Sequence, residues 1–306
     1  MMHETTTGRS LSPAGRTSRR TLLASAAAGA FALGLGGTQT AWAATPNPIP
    51  KLPGEVSRLA NQVSAGGTLY DNIEVSIGGD RARIFVPQSV RPGSKTLAGV
   101  VWFYHATGST HSSLNSAFKY PAELAVDNGA ISICQNLGGS IYTNPKAVEA
   151  QVAGWNWIKN LFTIRANFLR ANSGGGAMAS FTLGKKLMPY ISGLYMANSI
   201  YDVEERYRAT PDRIGPAYNW DEALMRAYNP ANLPGSAWTG SRIRVVVSDS
   251  SHPDVVLPQA AHGLALIRDA KPTALETTVR THALGHQIPG WVNSDMISTF
   301  GRWLGR

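Results

Sequence analysis

The chain has 306 residues, 43% of them hydrophobic and 15% charged, with a formal net charge of +9 and one cysteine. That length supports one good-sized core, and a single cysteine excludes an intramolecular disulfide. The basic residues are scattered and no aromatic-basic segment accompanies them, which argues against a nucleic-acid partner.

Taken in chain order, the first signal is Ser18-Arg19-Arg20-Thr21-Leu22-Leu23, which sets paired arginines directly before an uncharged run over residues 22–36. Ala41-Trp42-Ala43 then offers a small-x-small cleavage site. Residues 1–43 are therefore expected to be a twin-arginine signal peptide, with the protein secreted from a bacterial cell. The run is short and rich in Ala and Gly, unlike a membrane anchor, and no later segment is apolar and long enough to span a bilayer. Residues 44–54 are a proline-rich lead-in, expected to be extended and mobile, and residues 55–306 form the predicted domain.

Within that domain, strand and helix signals alternate. Residues 73–77 and 82–86 alternate in polarity around Gly78-Gly79-Asp80, which predicts a hairpin. Residues 97–104 are an almost unbroken apolar run, the pattern of a strand buried on both faces. A helix is predicted over 113–127 and a buried strand over 130–134, which makes Cys134 a buried, inert thiol. Asn144-Pro145 starts the clearest helix, with Asn144 as cap and Pro145 at the first helical position. Val148, Val152, Trp155, Ile158 and Phe162 would form its apolar stripe. Further strands are predicted from about 167 to the following serine and over 190–197, 242–247 and 277–281. Helices are predicted over 177–187 and, capped by Ser294, over 294–304. Between residues 200 and 238 the alternation breaks into a segment rich in Tyr, Pro, Arg and Glu, with a short helix near 221–228, expected to be a small lid. The whole pattern implies an α/β fold, a mostly parallel sheet covered by helices on both faces.

One stretch carries chemistry: Asn167-Phe168-Leu169-Arg170-Ala171-Asn172-Ser173-Gly174-Gly175-Gly176-Ala177-Met178. A strand runs into a serine ringed by very small residues and then into a helix. A serine held on so sharp a strand-to-helix turn needs neighbours without bulk, and the helix start aims N–H groups at a developing oxyanion. A serine hydroxyl also needs a histidine to take its proton and a carboxylate to orient the histidine. His286, on the loop after the last predicted strand, is the first candidate for the base, with His282 as its rival. For the acid, Asp254 leads, with Asp249 and Asp202 as alternatives. The second oxyanion donor would come from Tyr104-His105-Ala106-Thr107-Gly108-Ser109, with Thr107 beside Gly174 as the pair. His105 is read as ordering that loop. His105 and His111 lack a third ligand for a metal site, and no cofactor is expected.

The order Ser173, Asp254, His286 and the strand-turn-helix around the serine resemble the α/β-hydrolase superfamily over residues 73–304. Asn144-Pro145-Lys146-Ala147-Val148 and Asp254-Val255-Val256-Leu257-Pro258 are similar to segments of actinobacterial secreted hydrolases. Ala171 and Ala106 stand where glycine is usual in that superfamily. The resemblance implies acyl transfer to water, with a small-molecule ester as the expected substrate. A peptidase or amidase on the same triad, and a secreted binding protein that keeps the fold with a weak or inactive triad, are the alternatives. Tyr201, Tyr207, Tyr218, Trp220, Tyr228 and Trp238 are read as lid packing or as the wall of an acyl pocket.

Overall fold

The computed structural model describes residues 45–139 and 142–305; the expected signal peptide lies outside them. Among these residues nine strands form one sheet: β1 (Glu55–Val63), β2 (Leu69–Ile77), β3 (Asp80–Pro87), β4 (Leu97–Tyr104), β5 (Ala130–Gln135), β6 (Thr163–Ser173), β7 (Ile191–Ser199), β8 (Arg242–Ser248) and β9 (Glu276–His282). Their spatial order is β1-β2-β3-β5-β4-β6-β7-β8-β9. β1, β2 and β3 pair antiparallel and β3 meets β5 antiparallel, whereas β5, β4, β6, β7, β8 and β9 run parallel.

Among the described residues seven α-helices lie between the strands and an eighth follows the last: α1 (Lys119–Asp127), α2 (Pro145–Leu161), α3 (Gly175–Gly184), α4 (Val203–Ala209), α5 (Pro211–Ile214), α6 (Glu222–Ala227), α7 (Gly263–Ala270) and α8 (Val292–Trp303). One face of the sheet packs against α2, α3 and α7 through Ala147, Ile158, Met178, Ala179, Ala265 and Leu266. The other packs against α1 and α8 through Ala122, Val126, Met296, Phe300 and Trp303. β4 is buried from Ala98 to Tyr104, as a strand covered on both faces must be. Cys134 is fully buried, and burial pushes its thiol far above the ordinary range.

Several sequence expectations are corrected here. Only the second half of 113–127 is α-helical; His111–Asn115 is a 3₁₀ turn capped by Thr110. The buried stripe of α2 runs through Ala147, Gln151, Gly154, Trp155 and Ile158, with Val148 and Val152 at its edge. Small residues at its centre bring the helix so close to the sheet that a β-carbon on Gly154 would lie 2.6 Å from Gln135 Cδ. α3 begins at Gly175 and ends at Gly184, where Lys186 turns to φ 52° and stops the helix. Ser294 is not the cap of α8. It lies in the first turn and donates to the Trp291 carbonyl. The proline-rich lead-in is also fastened down: Ile49 and Leu52 are buried, and the Ile49 N–H donates to the Asp71 carboxylate at 2.8 Å.

The segment between β7 and β8 holds α4, α5 and α6 and builds its own cluster. Ile200, Val203, Ile214, Tyr218 and Met225 pack there with Tyr142, Ala177 and Leu257.

Candidate active site

Parallel strands end along a common edge, and loops leaving that edge converge. The pairing of Tyr104 with Ala171, of Ser173 with Ser199 and of Ser248 with His282 aligns those ends. Thr107 follows β4, Ser173 closes β6, Asn198 lies at the end of β7, Asp254 follows β8 and His286 follows β9.

Ser173 holds φ at 47°, a left-handed conformation that costs a residue bearing a β-carbon. It is tolerated because α3 seats itself directly beneath. A β-carbon on Gly175 would lie 2.6 Å from the Tyr104 carbonyl carbon, and one on Gly176 would lie 2.5 Å from the Ile200 oxygen. A β-carbon on Gly174 would come within 2.9 Å of the Thr107 nitrogen. The three glycines therefore allow the serine turn, the β4 loop and the β7 loop to meet without side chains between them. The helix itself is buried on all sides, every residue from Gly175 to Leu183 included, so it has no freedom to back away.

Ser173 Oγ lies 3.1 Å from His286 Nε2, and His286 Nδ1 lies 2.8 Å from Asp254 Oδ2. The Asp254 side chain is wholly buried. Its Oδ1 accepts N–H bonds from Val256 at 3.0 Å and Leu257 at 2.9 Å, and its Oδ2 accepts from Gln259 Nε2 at 3.2 Å. These donors satisfy the charge that burial would otherwise penalise. With its Nδ1–H given to a carboxylate, the imidazole presents an unprotonated Nε2 to the serine, the tautomer that proton abstraction requires.

The competing side chains are engaged elsewhere. Asp249 is half-buried, and its Oδ1 accepts from the backbone N–H groups of Ser251 and His252 in a local turn. Asp202 caps α4 through the Glu205 N–H. His282 has Asn198 Oδ1 at 3.3 Å and accepts the Leu284 N–H at 3.2 Å. His105 is fully buried, donates Nδ1–H to the Ala106 carbonyl at 3.0 Å and has its basicity lowered by burial; His111 contacts Glu74 instead. Thr107 and Gly174 stand side by side at the serine turn, and the Thr107 hydroxyl lies 3.0 Å from the Tyr142 hydroxyl.

Two supporting residues escaped the sequence reading. Asn198 donates Nδ2–H bonds to the carbonyls of Gly285 at 2.9 Å and Gln287 at 2.8 Å, gripping the loop on both sides of His286. The rule that polar groups gather at strand ends would have found it. Gln259, by contrast, carries no local signal for its bond to Asp254.

Beside the β4 loop opens a cleft of about 580 Å³, lined by Thr107, Gly108, Tyr142, Lys146, Arg213 and Leu224 among others. None of the six aromatic residues considered for a pocket wall lines it. Tyr201, Tyr218 and Trp238 are buried in the packing, and Trp220 is exposed.

Comparison with protein-family models and with curated protein sequences finds no match. Comparison with solved structures finds an S-formylglutathione hydrolase from Agrobacterium tumefaciens at 15% identity and TM-score 0.58, covering 82% of this chain and 99% of that one. An acetyl xylan esterase from Paenibacillus sp. R4 matches at 12% identity and TM-score 0.59, over 83% and 89% of the two chains. An acylaminoacyl peptidase from Pyrococcus horikoshii matches at 13% identity and TM-score 0.56, over 78% of this chain and 41% of that one. Two other matched structures are longer still, and the chain spans 36% of each. At these identities the likeness establishes the architecture: an α/β-hydrolase fold.

Proposed function

We propose that this chain is a serine hydrolase that cleaves carboxylic esters through an acyl-enzyme formed on Ser173. What supports the reading is the unbroken line of two hydrogen bonds from Ser173 through His286 to the buried Asp254. In the proposed reaction Ser173 Oγ attacks the ester carbonyl carbon while His286 Nε2 takes the hydroxyl proton, and Asp254 stabilises the imidazolium. The N–H groups of Thr107 and Gly174 receive the negative charge that develops on the carbonyl oxygen; one such donor is worth ~2.7–4 kcal/mol of barrier. The tetrahedral adduct collapses as His286 returns the proton to the departing alcohol. Water, activated by the same imidazole, then releases the acid and restores Ser173.

The reading includes export, which rests on the paired arginines Arg19 and Arg20, the uncharged run after them and the Ala41-Trp42-Ala43 site.

A fluorophosphonate probe tests the nucleophile. The folded protein should be labelled, whereas Ser173→Ala and His286→Ala, with unchanged circular dichroism, should not. Absence of labelling in the folded wild type would favour a binding protein on the same fold. A panel of p-nitrophenyl esters set against peptide p-nitroanilides then separates esterase from amidase, with turnover expected for the esters.

A further inference from the structure

The cleft beside Thr107 has a definite charge. Its lining includes Lys146 and Arg213 and no acidic side chain. Nearby arginines are neutralised: Arg206 lies 3.8 Å from Glu205 and Arg226 lies 3.3 Å from Glu204. Among the described residues no ion pair holds Lys146 or Arg213. The cleft also includes Asn144 and Pro145 at the start of α2, a 17-residue helix whose first turn contains no acid. The positive end of that helix dipole therefore adds to the two cations. A concave wall with one sign of charge focuses its field on whatever enters.

Position decides which part of a substrate would feel that field. The departing alcohol must lie at His286 Nε2 to receive its proton, and neither His286 nor its loop lines the cleft. Thr107 and Gly108 do, so the cleft begins on the oxyanion side of the serine. The acyl group is the part of the ester that extends there. Leu224, Pro216 and Ala217 supply apolar wall for a short chain in the cleft that Lys146 and Arg213 also line.

We infer that this cleft binds an anionic group on the acyl moiety, so that the preferred substrates are esters of acids carrying a second, free carboxylate. This rests on the serine-ester reading above and adds a substrate class to it. Arg213 supplies a planar fork suited to a carboxylate, and Lys146 a compact charge.

The test compares mono-p-nitrophenyl esters of short dicarboxylic acids with p-nitrophenyl esters of monocarboxylic acids of equal chain length. The expected kcat/KM ratio favours the anionic ester by ~10-fold at low ionic strength, equivalent to about 1.4 kcal/mol, and shrinks as salt screens the charges. In the double variant Lys146→Gln, Arg213→Gln, whose folding is checked by its melting temperature, the ratio should fall towards one. A wild type that turns over both esters without preference overturns the inference and leaves the esterase reading standing. A preference that survives in the folded double variant also overturns it, because the selectivity would then arise outside the cleft. If neither ester is turned over and fluorophosphonate fails to label Ser173, the esterase reading itself falls.

Discussion

Asp254 and Asp249 share one loop, yet their surroundings divide the roles. Asp254 is buried, receives two backbone N–H groups and one amide, and holds His286 Nδ1 at 2.8 Å. Asp249 is half-buried and closes a turn. Asp254→Asn replaces an acceptor by a group that can present N–H to the imidazole, favouring the wrong tautomer. Its kcat on a p-nitrophenyl ester should fall on the order of 10⁴-fold, as loss of a triad carboxylate does elsewhere. Asp249→Asn should stay within a factor of a few of the wild type. Steady-state kinetics on the two variants decides the matter, and comparable losses in both would remove Asp254 from its role. At this scale the sequence was readable where chemistry imposes a local pattern. Ser173 announces itself through Gly174, Gly175 and Gly176. Choosing among Asp254, Asp249 and Asp202 required knowing which loop folds back over the sheet, and that depends on Val256 and Leu257 presenting their N–H groups, which no spacing reveals.

At the scale of elements, the edge that carries Ser173 depends on how closely α3 approaches β4. Gly175 is the tightest contact: a β-carbon there would sit 2.6 Å from the Tyr104 carbonyl carbon and 2.8 Å from the His105 oxygen. Both are backbone atoms at the end of a central strand, so neither can swing aside. Gly175→Ala should therefore lower stability by about 1–3 kcal/mol, the usual cost of overpacking, and should slow ester turnover by displacing Gly174 from Thr107. Gly235→Ala, with no atom within 4 Å of the new carbon, is the control and should melt near the wild type. Thermal denaturation of both variants checks this, and equal melting temperatures would show that α3 is free to shift. The same scale shows where periodicity fails as a guide. β4 and α2 were legible because their apolar residues face the core. β1 was not, since it turns Val56, Leu59 and Val63 outward while Arg58 reaches inward to Glu55 and Asp71. α7 is preceded by His262, which makes no side-chain capping bond, so no start signal marks it.

At the scale of the whole molecule, the segment between β7 and β8 is tied to the domain through a buried histidine. His262 is fully buried, and its Nδ1 accepts the backbone N–H groups of Tyr201 and Asp202, each at 3.3 Å. A nitrogen that accepts two N–H bonds carries no proton, so the ring is neutral, and its Nε2 lies 3.0 Å from the Glu205 carboxylate without a hydrogen bond between them. Burial, reinforced by the charge of Arg206 and only partly opposed by Asp202 and Asp254, lowers its pKa to about 4. In the unfolded chain the same histidine titrates near its ordinary value of about 6.5. Between those two values the unfolded state binds more protons than the folded state, so stability rises with pH across that interval. The contribution is complete above about 6.5, declines as the pH falls, and is spent near 4; its full size is on the order of 3 kcal/mol. Melting temperature should therefore drop between pH 7 and pH 4, and His262→Gln, which cannot take up a proton, should melt lower at neutral pH but with a flatter pH profile. A variant whose profile keeps the wild-type slope would place the acid sensitivity in another group. Because α4 begins directly after Tyr201 and Asp202, protonation of His262 should loosen this segment before the sheet. In mild acid, limited proteolysis is expected to cut between residues 200 and 238 before it cuts the sheet.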